Sequence, residues 1–348
     1  MSICRLSALR TLLIAALSCQ LLSACSVSGT YPDATQADAA KLRFVANASN
    51  VTLDYFDAEH CFGQTTGVLN NFLMVDSGRR VGMSVAPPAD ARGYLEIKLK
   101  PGKEALLRVN SNAPSGLCGI GVNLTPQPGA EYELRFNSES GGCSMLLERI
   151  KRIDGKDLRF PMSMPEGNLQ ACTGSNPIFP KPLPETPQRR VLIERLVGNT
   201  LELATKLNAS AQRVPQAARP SVQAQIAERR QALGITVLPE AYWTQYRDNL
   251  ERYALDTQGT SAQLLAQFKD TYWRGFSMAS DRQLEDWTQP TTRQARGDLQ
   301  ALQERLTRYY YRTRRNIELE QLDQHLLRMT QLDRQYNVCA RFPGCWTY

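Results

Sequence analysis

Residues 172–187 read Cys-Thr-Gly-Ser-Asn-Pro-Ile-Phe-Pro-Lys-Pro-Leu-Pro-Glu-Thr-Pro, with prolines at 177, 180, 182, 184 and 187. Each proline fixes φ and removes an amide donor, so this spacing suits neither a helix interior nor a central strand and reads as a semi-stiff linker. The hydrophobic period changes across it, from about two residues before to about three and a half after. A chain of 348 residues is long enough for two cores. The linker therefore predicts an α+β protein in two modules: an antiparallel β-sandwich over 40–171 and an α-helical bundle over 188–338.

Upstream, inward rows are supplied by Leu42-Phe44, Val51-Leu53-Tyr55, Val81-Met83-Val85, Leu95-Ile97-Leu99, Ala105-Leu107-Val109, Ile120-Val122-Leu124, Tyr132-Leu134-Phe136 and Met145-Leu147. Asp76-Ser77-Gly78, Pro87-Pro88, Pro101-Gly102 and Pro126-Gln127-Pro128-Gly129 separate them with turn chemistry. Seven or eight short strands without a helical stretch fit an antiparallel sandwich.

Downstream, Val191, Ile193, Leu196, Val197, Leu201, Leu203 and Leu207 form a first helical stripe, and Val222, Ile226 and Leu233 a second. Pro239 opens a third helix containing Tyr242, Trp243, Tyr246, Leu250 and Tyr253. Ser261 to Phe276 makes a fourth, and the longest follows Pro290 to about Tyr336. In that last helix Leu299, Leu302, Leu306 and Tyr309 share one register. Leu319, Leu322, Leu326 and Met329 resume it after a slip.

The N-terminus has a different logic. Arg5 and Arg10 precede an apolar run from Leu12 to Leu22, then Ser23 and Ala24. This is the layout of a secretory signal over 1–24, and the run is too short for a spanning helix. Leu22-Ser23-Ala24-Cys25 resembles the lipobox of bacterial lipoproteins. The resemblance implies that Cys25 becomes the mature N-terminus and carries acyl chains, with 25–39 as a lipidated tether. Ser26 in place of Asp implies, by the same resemblance, the periplasmic face of the outer membrane. Ala40 to Val45 and Pro128-Gly129-Ala130-Glu131-Tyr132 further resemble β-sandwich modules of uncharacterised proteobacterial lipoproteins, a likeness of architecture that carries no functional residue across.

Six cysteines remain for the exported chain: Cys61, Cys118, Cys143, Cys172, Cys339 and Cys345. An even set in an oxidising compartment reads as disulfides. Cys339 and Cys345 are close together and far from the rest, so they are expected to pair and close the tail 339–348. Cys118 with Cys143, and Cys61 with Cys172, complete the expected set. No close C-x-x-C pair exists and the two histidines are far apart, so no metal and no cofactor are expected.

The chain has 41 basic and 34 acidic residues, and loss of Arg5 and Arg10 with the signal leaves 39 against 34. From Ser26 to Ile150 there are 11 basic and 13 acidic residues, and from Lys151 onward 28 and 21. The positive excess therefore belongs to the C-terminal part and favours anionic partners there. Nucleic acid is not expected in this compartment.

The sharpest surface feature is Arg308-Tyr309-Tyr310-Tyr311-Arg312-Thr313-Arg314-Arg315. Arginine offers bidentate donors and tyrosine an amphipathic ring, so Arg308, Tyr310, Tyr311, Arg312, Arg314 and Arg315 are candidates for gripping an anionic glycan, a lipid headgroup or an envelope protein. The alternative is a solvated basic face whose tyrosines cap the core. Phe342 and Trp346, on the disulfide-closed tail, are further binding candidates, or else the ring docks on the helices and stops fraying.

Catalytic signals are thin. His60 and Cys61 adjoin Asp57 and Glu59, but neighbours on an extended chain face opposite ways and the thiol is expected in a disulfide. No catalytic residue is assigned. The expected function is a non-enzymatic binding or scaffold lipoprotein that faces the periplasm, held to the membrane through its lipid and partnered by an envelope protein. The alternatives are a peptidoglycan- or lipopolysaccharide-binding lipoprotein and an enzyme of unknown type.

Overall fold

A computed structural model describes residues 29–348 except 74, 114–115, 140–141, 154, 165–167, 213–219, 235–237 and 343. The signal and Cys25 lie outside the described residues. The chain forms two compact units, one from Met1–Phe160 with Glu166–Cys172, the other from Pro161–Pro165 with Thr173–Tyr348. The architecture is α+β, with nine strands followed by six helices among the described residues.

The first unit contains β1 (Ala40–Ala46), β2 (Val51–Phe56), β3 (Gln64–Leu69), β4 (Gly93–Leu99), β5 (Ala105–Ala113), β6 (Gly116–Leu124), β7 (Glu131–Glu139), β8 (Gly142–Ile153) and β9 (Lys156–Pro161). One sheet has the order β4-β1-β7-β8-β9 and the other β3-β2-β5-β6. Alternation does its work on both: Leu42, Phe44, Leu95, Ile97, Leu134 and Phe136 of the first sheet are 0% exposed, as are Leu53, Leu107, Val109 and Val122 of the second. Cys118 on β6 is bonded to Cys143 on β8, and Cys61 after β2 to Cys172, with Cα atoms 6.4 and 5.3 Å apart.

Three expectations need correction here. The first sheet is not purely antiparallel, because β1 lies between an antiparallel neighbour, β4, and a parallel one, β7. Val81-Met83-Val85 is not a strand. Its backbone is held by side chains of the sheet instead: Glu96 accepts the Val81 and Gly82 N–H groups, Glu131 accepts the Ser84 N–H, and Arg43 donates to the Val85 carbonyl. The tether does not extend to residue 39, since Tyr31 and Ala34 are 6% and 7% exposed. Thr30 and Tyr31 donate backbone N–H groups to the Thr65 carbonyl of β3, and Asp33 accepts the Lys98 N–H of β4. Strands β3 and β9 were not anticipated. In β3, Gln64-Thr65-Thr66-Gly67 lacks apolar alternation, and Thr66 is buried because its hydroxyl donates to the Leu53 carbonyl.

The second unit contains α1 (Pro187–Gln212), α2 (Val222–Leu233), α3 (Glu240–Gln258), α4 (Thr260–Ser277), α5 (Asp281–Thr288) and α6 (Arg293–Gln335). Pro187 occupies the first helical position, where its missing donor costs nothing, so the helical region starts one residue before the expected 188. The proline-rich stretch has no helix or strand, yet it is not a free linker. The Leu183 N–H bonds to the Ser277 carbonyl, and Phe179 is 2% exposed. Helix α5, absent from the sequence reading, begins with a capping box between Ser280 and Gln283. Apolar clusters join Ile193, Leu196, Phe276 and Leu306, and separately Tyr242, Trp243, Tyr246, Met329 and Val338. Val191, placed in the first stripe, is 54% exposed.

Helix α6 has 43 residues, about 65 Å at 1.5 Å per residue, and is capped by the Thr292 hydroxyl, which accepts the Ala295 N–H. Its buried face runs without a slip through Leu302, Leu306, Tyr310, Thr313, Ile317, Gln321, His325, Met329 and Leu332. The second register therefore holds only at Met329, which is fully buried, whereas Leu319 and Leu326 are half-buried and Leu322 is 38% exposed. No described helix is long and apolar enough to cross a membrane.

Candidate functional site

The continuous buried stripe of α6 fixes which side chains of the Arg/Tyr segment face outward. Tyr310 is 0% exposed, with its hydroxyl 3.2 Å from Asn208 Oδ1 on α1. It belongs to the core and is removed from the binding candidates. Tyr309 is half-buried, packs on Phe268 and donates from its hydroxyl to Thr271 at 2.9 Å. Tyr311 is 51% exposed. Three consecutive tyrosines thus divide into core, border and surface by helical geometry alone.

The arginines divide in the same way. Arg314 is half-buried, bonds Glu318 Oε1 at 3.0 Å and lies 3.5 Å from Asn208 Oδ1, its charge taken up locally. Arg308, Arg312 and Arg315 are exposed, and Arg305, unnoticed in the sequence, continues their line. Spacings of three, four and three residues place 305, 308, 312 and 315 on one outward stripe. Among the described residues no carboxylate is within ion-pair distance of Arg305, Arg308 or Arg315. The Arg312 guanidinium lies 5.7 Å from the Tyr309 ring centroid, and partial burial holds its pKa below the usual arginine value.

Beside this stripe, where the α3–α4 junction meets α6, is a cleft of about 400 Å³ lined by Tyr253, Thr257, Ser261, Arg314, Arg315 and Glu318, among others. Thr260, which also lines it, is held by the buried Gln321, which accepts from the Thr260 hydroxyl at 3.0 Å and donates to the Asp256 carbonyl at 2.9 Å. The cleft offers hydroxyls, one half-buried and one exposed guanidinium, and a carboxylate. In size and polarity such a lining suits a small polar or anionic group.

The tail ring, Cys339 to Cys345 with Cα atoms 5.1 Å apart, docks on the helices. Phe342 and Trp346 pack against the Tyr242–Met329 cluster, and Tyr348 is 5% exposed. The Trp346 N–H donates to Asp333, and Tyr348 bonds Thr330 through its N–H and Asp323 through its hydroxyl. Phe342 and Trp346 are therefore held by the protein itself, with Trp346 against His325, about 15 Å along α6 from Arg315.

In the first unit, Asp57, Glu59 and His60 bring one ligand atom each within 4.8 Å of the others. Asp57 Oδ1 is already used: it accepts His60 Nδ1 at 2.7 Å and the N–H groups of Glu59 and His60 at 2.9 and 2.8 Å. Burial pushes the Asp57 carboxyl up, but these hydrogen bonds hold it below its ordinary range. Cys61 is in a disulfide, so no thiolate faces His60. Across the outer face of the first sheet, Arg43 is 1% exposed and sits between Glu96 and Glu133 at 2.8 and 3.1 Å, with Arg135 and Arg159 also on Glu133. This row straps the 79–86 segment to the sheet. Sequence reading missed it because isolated charges in a strand pattern look like solvent-facing positions.

No protein-family model matches this chain, and no curated protein matches it either.

Proposed function

We propose that this chain is a lipid-anchored envelope lipoprotein, tethered through Cys25 at the periplasmic face of the outer membrane, that acts as a non-enzymatic binding module. In this reading the two sheets pack face to face as a sandwich, supported by their fully buried inward rows. The helices pack as a bundle whose clusters surround α6. The partner is an envelope protein with an acidic face, and the surface that meets it is the outward stripe of Arg305, Arg308, Arg312 and Arg315 with Tyr311.

The carrying observation is that this stripe keeps exposed guanidinium groups, three of them without a neutralising carboxylate, on a rigid helix beside an exposed tyrosine. Arginine and tyrosine are enriched where protein surfaces meet, and exposed charge sets encounter rate and salt sensitivity. The neighbouring cleft supports a second reading, in which Arg314 and Arg315 receive an anionic group of peptidoglycan or lipopolysaccharide.

The test is crosslinking in intact cells with Arg308→Glu, Arg312→Glu and Arg315→Glu combined. Exposed ion pairs contribute about 0.5–1 kcal/mol each, so the triple reversal is expected to weaken partner capture about tenfold or more, with parent capture falling as salt rises. Capture unchanged by the reversal sinks the proposed surface. Retention of the parent on purified sacculi, lost in Arg314→Glu and Arg315→Glu, would favour the second reading.

A further inference from the structure

The surface of the first unit carries a short loop whose apolar side chains are exposed. After β3 the chain continues Asn70-Asn71-Phe72-Leu73, and Phe72, Leu73 and Val75 are 66%, 95% and 85% exposed. Its base is rigid. Asn70 donates to the carbonyls of Ala46 and Ala48 at 2.7 and 2.8 Å, and Asn71 Oδ1 accepts the Leu73 N–H at 2.8 Å. Asn71 Nδ2 donates to Asn50 Oδ1, and Asn50 Nδ2 to the carbonyl of Asn112. Asn112 pairs in register with Leu117, which is 84% exposed. Four large apolar side chains thus stand at one end of the unit on a frame of neutral asparagines.

The segments that carry them are themselves uncharged, and Asp76 follows directly, its carboxylate turned toward Gly93 beside Asn70. No Asp, Glu, Lys or Arg occurs from Cys61 to Val75, from Val109 to Ala130, or from Cys25 to Pro32. An apolar loop tip whose own segment carries no charge loses little hydration on meeting an apolar phase. Adjacent apolar side chains exposed together mark an interaction site more often than scattered ones.

The entering chain says which apolar phase is at hand. Thr30 and Tyr31 bond the Thr65 carbonyl, and Gly29 lies against the backbone of Thr65 to Gly67, where a Cβ would collide. Traced backward from Tyr31 to Gly29, the chain advances along β3 from Thr65 toward Gly67, the direction that ends in the apolar loop. Cys25 is four residues before Gly29, a reach of at most about 14 Å. A lipid on Cys25 is therefore confined near the edge strand that delivers Phe72 and Leu73.

We propose that Phe72, Leu73, Val75 and Leu117 form a second membrane contact that dips into the leaflet holding the Cys25 acyl chains and fixes the orientation of the first unit on the bilayer. This rests on the lipid-anchor reading above. The full lipidated protein, reconstituted in phosphatidylethanolamine–phosphatidylglycerol vesicles, tests it with a nitroxide on Leu73→Cys and, as control, on Lys103→Cys at the opposite end of the strands. Depth is read from collision with oxygen against a water-soluble nickel chelate, and the mass of the N-terminal peptide is measured on the same preparation.

The expected result is an acylated Cys25, a label at 73 about 5–10 Å below the phosphates, and a label at 103 in water. Substituting Phe72→Ser and Leu117→Ser should then raise the label at 73 toward the aqueous phase without releasing the protein. Acylated, vesicle-bound protein with the label at 73 in water overturns the second contact alone. Label-to-label broadening at 73 that persists in acyl-free protein overturns it in favour of a self-association surface. An N-terminal peptide without acyl chains overturns the anchor and this inference together.

Discussion

Asp333 is fully buried on α6 and accepts hydrogen bonds from Arg229 at 2.5 Å, the Tyr242 hydroxyl at 2.9 Å and the Trp346 N–H at 2.7 Å. These donors come from α2, α3 and the tail, so one carboxylate gathers three parts of the chain. Asp333→Ala strands the Arg229 guanidinium, whose side chain is 7% exposed, and is expected to cost about 3–5 kcal/mol in denaturant unfolding. Arg229→Leu combined with Asp333→Leu should recover much of that loss, because the penalty is an uncompensated buried charge. A single variant with the parent's unfolding midpoint would refute the assignment. His325, 6% exposed, stacks on Tyr253 with centroids 4.4 Å apart and leaves Nδ1 without a partner. Burial, with the Arg328 charge adding to it and Asp256 opposing, pushes its imidazole down to about 4. A histidine whose folded pKa is depressed gives stability that is present above its unfolded pKa near 6.5 and is lost as pH falls from there toward 4. Allowing for solvent screening, the loss is about 2 kcal/mol. The stability difference between the parent and His325→Phe, measured at pH 7 and at pH 4, should shift by that amount against the parent, since carboxylate titrations common to both cancel.

At the scale of elements, α6 shows what a hydrophobic pattern reads and what it cannot. The pattern located the helix and its leading register through Leu302 and Leu306, then followed Leu319, Leu322, Leu326 and Met329, of which Met329 alone is buried. The real stripe passes through Ile317, Gln321 and His325. Gln321 occupies a core position because Thr260 and the Asp256 carbonyl satisfy its amide, and such a partner is visible only after α3 and α4 are in place. Once Gln321 and His325 are counted as inward, the apparent slip disappears and the roles of Tyr309, Tyr310 and Tyr311 follow by rotation. The arginine stripe was legible in part, but without the register Arg314 could not be told from Arg315, nor Arg305 recognised as its first member. In the sheets, alternation found seven of the nine strands because apolar rows are local. The parallel pairing of β1 with β7 depends on a partner about ninety residues away and has no local signature. Val81-Met83-Val85 alternates like a strand, yet Glu96 and Glu131 take its amides before a ladder can.

At the scale of the molecule, the division at the prolines makes the two units distinguishable by spectroscopy. All four tryptophans, Trp243, Trp273, Trp287 and Trp346, belong to the second unit, and so do the six α-helices among the described residues. Tryptophan emission and helical ellipticity therefore report that unit, while the strand band of the infrared amide spectrum reports the first. The disulfides are divided as well. Cys61–Cys172 closes 111 residues of sequence and Cys339–Cys345 only 6, so chain entropy assigns them about 5 and about 2 kcal/mol. Replacing Cys61 and Cys172 together by serine is expected to lower the strand-band midpoint by most of the larger figure. The same variant should leave the tryptophan midpoint within about 0.5 kcal/mol of the parent, because this disulfide lies wholly in the first unit and the tryptophans in the second. Removing Cys339 and Cys345 should do the reverse, shifting tryptophan emission by about 2 kcal/mol and sparing the strand band. If both probes move together in either variant, the two units unfold as one cooperative block.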